Sequence, residues 1–516
     1  MPDEPPSARP RWPYLEEVLL ALAVAANLAV ALLARHFPYQ DAPNHIARYV
    51  LMDRFWSGEA PANIAVRLVP GPYLAVDLVG VALVRLVGPQ ATARLLSALA
   101  LALLPCGMYL LLRAVSPARR GWALAGAVMG FTWFVLGGML NYSIGLGLAF
   151  LWLAWWWPRR THASSRTRLV LAAGAAAIFA VHMAAALTVL GVVWVDWAVA
   201  VLPTLTSWRR AAAAVRPPEL WTAVTTTTAV AAVMGWGSAM AGGEQAAGGH
   251  LVFRSLASKI AAFGAPFYSL SLPQAAVMAA GFAATVLAFV YANRRARWLN
   301  PFVASSAAFL VLFLIFPKDV GGAGGTDVRW LMPAYLLPFC VPGGGMSSRG
   351  RALLAVPFAA CLIHAGVIGA HTREMDRRLD DFDGVLGAIP PRARVLPLIS
   401  DQASYPRVGP YQQYALWHTV RKRGQVPGLW SHAGAREGEL PISHFQHFTV
   451  LKHTYHPELQ WGTKTFFPLD WSRIAAEYDY IVQVSDDNRV REYIGAHSRE
   501  RLRRGAVTLF EVTSPR

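Results

Sequence analysis

Three apolar runs close to membrane-spanning length, Val18 to Leu33, Leu95 to Leu112 and Leu353 to Ile368, decide what this chain can fold into. In hydrocarbon each backbone N–H and C=O must find a partner inside the protein, and a helix of about 20 residues covers a core roughly 30 Å thick. The composition agrees: 55% of the 516 residues are hydrophobic and 15% charged, against about 25% charged in soluble domains. Disorder is excluded, a soluble enzyme is disfavoured, and a polytopic membrane protein is expected. The net charge of +17 would suggest nucleic acid if it shared one face. Up to residue 371, however, 27 basic residues stand against 13 acidic, and beyond it 20 against 17. The excess belongs to loops between apolar helices, so no nucleic-acid partner is expected.

Cys106, Cys340 and Cys361 each sit inside an apolar segment, so none staples an extramembrane domain or forms a metal knuckle. The N-terminal apolar stretch lacks a small-residue cleavage site and reads as an uncleaved first span. Orientation follows from the tendency of short cytoplasmic loops to collect Lys and Arg. If residues 73–88 crossed, the arginines at 113–120 and 159–168 would fall outside, and Asp77 and Arg85 would each cost about 2.5–3.5 kcal/mol at mid-membrane. This segment therefore reads as an amphipathic helix on the outer interface. The remaining spans fall at roughly 16–35, 93–112, 122–137, 141–157, 169–183, 185–202, 219–240, 273–293, 299–316, 330–343 and 352–371, about eleven crossings. The run Trp155, Trp156, Trp157 reads as a cytoplasmic-side anchor.

The expected fold is thus an all-α polytopic membrane domain over 1–371, with outer juxtamembrane helices in a first outer loop at 36–92, followed by a small α/β domain over 372–516. The N-terminus is expected in the cytoplasm and the tail in the periplasm, the membrane being a bacterial inner membrane. In the tail, residues 394–399, 479–484 and 508–512 read as strands, and 472–478 and 488–496 as helices.

The stretch PheProTyrGlnAspAlaProAsnHisIleAlaArgTyr, residues 37–49, follows the first span. A helix begun near Pro43 would present Asn44 or His45 with Arg48 on one face, and Asp41 stands where an N-cap would. Taken with the ArgTrpLeuMetProAlaTyr stretch at 329–335 and the GlyGlyMetLeuAsnTyrSer hairpin at 137–143, this loop resembles the GT-C superfamily of integral-membrane glycosyltransferases. The resemblance implies a polyprenyl-phosphate-linked sugar as donor, membrane lipids as surroundings, and an extracytoplasmic glycan, lipid or protein as acceptor. It implies Asp41 as the general base and Arg329, His45 and Arg48 as donor-phosphate ligands. Many members carry a second acidic residue in the next outer loop, where this chain offers Asn141. A divalent metal is therefore left open, with Asp319, Asp327 and Glu244 as the remaining carboxylates.

Other residues carry weaker signals. The GlyGlyAlaGlyGly stretch at 321–325 lacks the ending of a nucleotide P-loop and reads as a tether. His444, His447, His453 and His456 form two pairs spaced by three, suited to zinc only if they converge. His182 stands at the tip between two spans, and Asp196 is the acidic residue within a span. A transporter or flippase of lipid-linked glycans, or a catalytically silent envelope-assembly scaffold, is the alternative. In a background lacking the native cysteines, single cysteines at Leu68 and Gln90 should label from the same side of the membrane. Labelling from opposite sides would mean that residues 73–88 cross.

Overall fold

A computed structural model describes residues 14–37, 40–60, 64–66, 68, 70–202, 218–240, 251–296, 298–320, 323–343, 346–399, 408–427, 444–445, 471–485 and 488–513. The main helices are α1 (Leu15–Leu33), α2 (Ala42–Trp56), α3 (Leu74–Val87), α4 (Pro89–Val115), α5 (Leu140–Trp156), α6 (Ser165–Val181), α7 (Met183–Val201), α8 (Pro218–Met240), α9 (Leu272–Ala292), α10 (Pro301–Ile315), α11 (Leu331–Leu336) and α12 (Ala355–Ala388). Among the described residues, α1, α4, α7, α9 and the stretch Ser348–Ala388 are long and apolar enough to cross a membrane by themselves, with α10 a shorter apolar helix. Leu22, Leu33, Leu287, Leu314 and Ile363 point outward from this bundle, as lipid-facing side chains must.

Two of the expected crossings are not continuous helices. Residues 117–136 form a 3₁₀ segment, Pro117–Ala123, and two short helical turns, Leu124–Val128 and Trp133–Leu136. Residues 328–340 likewise run through a 3₁₀ turn, the six-residue α11 and a second 3₁₀ turn at Leu337–Cys340. Pro333 and Pro338 cannot donate to a helical ladder, and Gly126 and Gly130 let neighbours approach where a side chain would collide with Met108 and Asn27. Such irregular backbone is tolerated at membrane depth because protein covers it: Trp122 to Val128 and Leu331 to Val341 are largely inaccessible. The same close approach joins α4 to α5, where a Cβ on Gly107 would lie 2.7 Å from the Gly147 carbonyl oxygen.

The 14 residues of α3 span only about 21 Å, too little for the hydrocarbon core. The helix lies against α2, α4 and α6. Its two charges are paired: Asp77 with Arg48 of α2, both fully buried, and Arg85 with Asp53. Gly80 admits the Tyr49 ring, which would meet any Cβ there at 2.5 Å. Burial pushes Asp77 up to about 6 against the pull of Arg48.

Helix α12 runs unbroken past residue 371 and carries the tail. The tail holds β1 (Val395–Ile399), α13 (Leu416–Lys422), α14 (Trp471–Glu477), β2 (Tyr480–Val484), α15 (Asn488–Gly495), β3 (Ser498–Arg504) and β4 (Val507–Val512). The sheet order is β1-β2-β4-β3, with β1 parallel to β2 and the other pairs antiparallel. Strand β3, SerArgGluArgLeuArgArg, was not expected; an edge strand facing solvent needs no apolar alternation, and its charges discourage further pairing. Tail residues Val395, Tyr414, Trp417, Val482 and Leu509 share one core with Met375, Leu379 and Phe382 of α12 and with Ile46, Tyr49 and Val50 of α2. Each such side chain contributes about 1.5–3 kcal/mol on burial, enough to fix the tail against the membrane domain.

Removing one member of a buried pair leaves the other unsatisfied. Arg48→Met is expected to destabilise the fold by about 3–5 kcal/mol, and Arg48→Met combined with Asp77→Leu to recover most of it, as read by thermal unfolding in lipid nanodiscs. Equal loss in the single and double variants would contradict the pairing.

Candidate active site

The connector from α1 to α2 is held at both ends before it reaches Asp41. The backbone N–H groups of Arg35 and His36 donate to Asp376 of α12 at 3.0 and 3.1 Å, and the Phe37 ring packs edge-on against Phe131. Gln40 then adopts a left-handed conformation, φ 54°. The Asp41 N–H donates to the Gly137 carbonyl at 3.1 Å, joining the connector to the turn before α5. Pro43 enters the first turn of α2, as its fixed φ favours.

Asp41 occupies the N-cap position, yet its carboxylate makes no capping bond. The side chain is 1% exposed and neither oxygen accepts a hydrogen bond of ordinary geometry. Burial drives its pKa well above the ordinary carboxylate range; the Gln40 amide beside it and the Arg329 guanidinium only partly offset this.

Arg329 is the cation of the site. It stands just before α11, half-buried, with Nε enclosed and unpaired and a long contact of 3.4 Å from its guanidinium to the Gly324 carbonyl. Its charge reaches Asp41, Tyr142 and His182. The Tyr142 hydroxyl donates to the Arg329 carbonyl at 2.5 Å, so α5 fixes the backbone that carries the arginine. His182 is the joint of α6 and α7. Its Nδ1 accepts the Ala184 N–H at 3.1 Å and so carries no proton, which leaves Nε2 facing the Tyr73 hydroxyl at 3.5 Å. Tyr73 itself holds φ 79°, a conformation non-glycine residues rarely keep without surrounding support.

Asn141 opens α5, 3% exposed, with neither its amide nitrogen nor its oxygen hydrogen-bonded. Arg329 thus lies within electrostatic reach of Asp41 and of His182, and Asn141 precedes the tyrosine that pins its backbone. The other sequence candidates have different surroundings. His45 is buried and stacked on Tyr49, and burial beside Arg48 lowers its pKa to about 3. Arg48 is held by Asp77. Asp327, fully buried, accepts from Arg254 and Lys259, both at 2.9 Å, and ties down the loop before Arg329. Asp319 lies half-buried in the small hairpin that pairs with Leu251–Val252. Asp196 faces Arg160 at 3.7 Å. Glu244, His447, His453 and His456 lie outside the described residues, and of His444 only the backbone pairing with Ala65 is described.

No three His, Cys, Asp or Glu side chains converge among the described residues. Asp41 faces a guanidinium, and the residue opening α5 is an amide. A divalent-cation site wants several oxygens of net negative charge, and of the carboxylates named for one, Asp327 is held by two cations and Glu244 lies outside the described residues. Gln40, Tyr73 and Tyr142 were missed by sequence reasoning. Gln40 flanks the chosen aspartate and Tyr142 follows Asn141, but only their tertiary partners single them out.

Two crystal structures of ArnT from Cupriavidus metallidurans share this architecture. The one bound to undecaprenyl phosphate aligns with a TM-score of 0.51 at 14% identity, over 98% of each chain. The apo form aligns with a TM-score of 0.51 at 15% identity, over 96% of this chain and 97% of that one. The chain has the GT-C fold. The cryo-EM structure of the arabinofuranosyltransferase AftD from Mycobacteria aligns at 14% identity and a TM-score of 0.47, over 97% of this chain and 40% of AftD, so the chain spans less than half of that protein. No protein-family model and no curated protein matches the sequence. Within this GT-C fold Asp41 stands where the first loop after α1 meets the turn before α5.

A carboxylate whose folded pKa is raised makes the folded protein less stable as pH climbs from the ordinary carboxylate range to the raised value, because the unfolded chain ionises first. Asp41→Asn removes that penalty. Its melting temperature should match that of the wild type in acid and exceed it increasingly toward alkaline pH. A variant less stable than wild type at alkaline pH would contradict the burial of an uncompensated carboxylate.

Proposed function

We propose that the protein is a membrane glycosyltransferase that moves a sugar from a polyprenyl-phosphate-linked donor to an acceptor hydroxyl on an extracytoplasmic glycan, lipid or protein. The observation that carries this reading is a water-excluded carboxylate, Asp41, within electrostatic reach of a half-buried guanidinium, Arg329, in a GT-C fold. The undecaprenyl phosphate in the ArnT crystal supports a polyprenyl phosphate as the lipid partner.

The acceptor hydroxyl gives its proton to Asp41 as its oxygen bonds to the anomeric carbon. The bond from that carbon to the phosphate oxygen breaks, and the electron pair leaves with the lipid phosphate. Asp41 suits the first task because burial raises its basicity more than Gln40 and Arg329 lower it. Arg329 suits the second: its fork meets two phosphate oxygens, and its charge matters most as the leaving group develops its own. The buried Asn141 amide has a donor and an acceptor to offer a sugar hydroxyl.

The base must be ionised to act, so turnover should fall as the pH drops through the raised Asp41 pKa. Asp41→Asn should lose about 10²–10⁴ in kcat while remaining folded and inserted. Arg329→Ala should lower both kcat and kcat/KM, and Arg329→Lys, which keeps the charge but not the fork, should lower them less. Near-normal turnover in Asp41→Asn would remove the base from the reaction. Normal turnover in both Arg329 variants would leave that side chain as an interfacial arginine.

A further inference from the structure

The tail reaches the catalytic loop directly, and it does so at the residue next to the base. The Gly409 N–H donates to Gln40 Oε1 at 3.0 Å. A primary amide accepts at one end and donates at the other, so with Oε1 held by the tail the Nε2 end is left as the donor beside the Asp41 carboxylate, whose charged form Gln40 favours. A second contact, from Asn44 Nδ2 to Gln413 Oε1 at 3.3 Å, lies one turn further along the same interface. The tail segment is itself anchored. The Tyr414 hydroxyl donates to Asp383 at 2.8 Å and meets His36 Nδ1 at 2.7 Å, while Arg421 pairs with Asp383 at 2.8 Å.

We propose that Gln40 is a positioning residue through which the docked C-terminal tail orients a hydrogen-bond donor onto the Asp41 carboxylate. The inference rests on Asp41 being the base of the transfer reaction. Backbone geometry supports it independently. Gln40 keeps a left-handed φ that disfavours a non-glycine side chain, and the bonds to Gly409 and, one residue on, to Gly137 brace it there. Because neither Asp41 oxygen has a hydrogen bond of ordinary geometry, one oriented amide is a large part of its polar surroundings.

The groups around Asp41 assign the effect to Gln40. From the loop before α11, Arg329 lowers the pKa of Asp41, as Gln40 does. Tyr142 of α5 and His182 at the α6–α7 joint face Arg329. Along α2, His45 lies beside Arg48, which is committed to Asp77 of α3. The acids of α12, Asp376, Asp380 and Asp383, face Arg35, His36, Tyr414 and Arg421. With Arg329 unchanged, loss of the Gln40 donor leaves burial less opposed.

Gln40→Gly removes the amide and fits the left-handed backbone, so the fold is retained. Infrared difference spectra report the protonated Asp41 carboxyl, assigned by the loss of its band in Asp41→Asn. In Gln40→Gly its pH midpoint is expected to move up by about one unit. Tyr414→Phe, which loosens the tail without touching Gln40, is expected to move it the same way by less. The acid limb of the transfer rate should follow each midpoint, with turnover recovered at higher pH. A wild-type midpoint in Gln40→Gly overturns the role of Gln40, as does a rate loss equal at every pH. A wild-type midpoint in Tyr414→Phe overturns the coupling to the tail. The infrared midpoint is read without substrate, so absence of sugar transfer in the wild type would count against the glycosyltransferase reading alone.

Discussion

Keeping the Asp41 carboxylate out of water is the constraint on which the site depends. A carboxylate with no hydrogen bond of ordinary geometry, 1% exposed, is costly to ionise, and the surrounding structure must hold it in place. The Asp41 N–H is fixed to Gly137, the preceding residue to the tail, and the start of the connector to α12. One positive charge, Arg329, is kept within reach, and its backbone is pinned in turn by Tyr142. Asp327, with Lys259 and Arg254, performs the corresponding task for the loop that delivers Arg329. The site's charges are therefore few, and each is placed by contacts between segments far apart in sequence.

The bundle supports this by covering irregular backbone. The segments at 117–136 and 328–340 would expose unpaired peptide groups if they met lipid. Instead they are enclosed, and the second carries Arg329 in its first turn. The juxtamembrane pair α2 and α3 applies the same rule to charges: Arg48 and Asp77 satisfy each other so that the helices can pack tightly, with the Tyr49 ring over Gly80. Helix α12 then links membrane to tail as one continuous rod, so the tail packs on α2, the helix that Asp41 precedes.

Local pattern made much of this legible. The apolar runs located the long helices, and the alternation in 394–399, 479–484 and 508–512 located three strands of the tail sheet to within a residue or two. Asp77 and Arg85 identified α3 as a helix ill-suited to cross, and its 14 residues agree. What hydropathy could not reveal was continuity: 122–137 and 330–343 are as apolar as true spans, and only packing distinguishes a buried broken segment from a crossing helix. The charged edge strand at 498–504 lacked alternation because solvent takes the place of a second core. At the site, the resemblance of the first outer loop pointed to Asp41, and a place at the outer mouth of a late span pointed to Arg329. Gln40, Tyr73 and Tyr142 depend on partners 109 to 369 residues away, so no local spacing marks them.

The proposed glycosyltransferase differs from a lipid-glycan transporter in one chemical event, the breaking of the sugar–phosphate bond. The direct measurement is to reconstitute the purified protein in vesicles with a polyprenyl-phosphate-linked sugar and an acceptor alcohol, and to follow lipid and acceptor by mass spectrometry. The account predicts free polyprenyl phosphate appearing one for one with an acceptor heavier by one sugar, in the wild type and not in Asp41→Asn. A donor that stays intact, moving between leaflets or simply remaining bound, would contradict it.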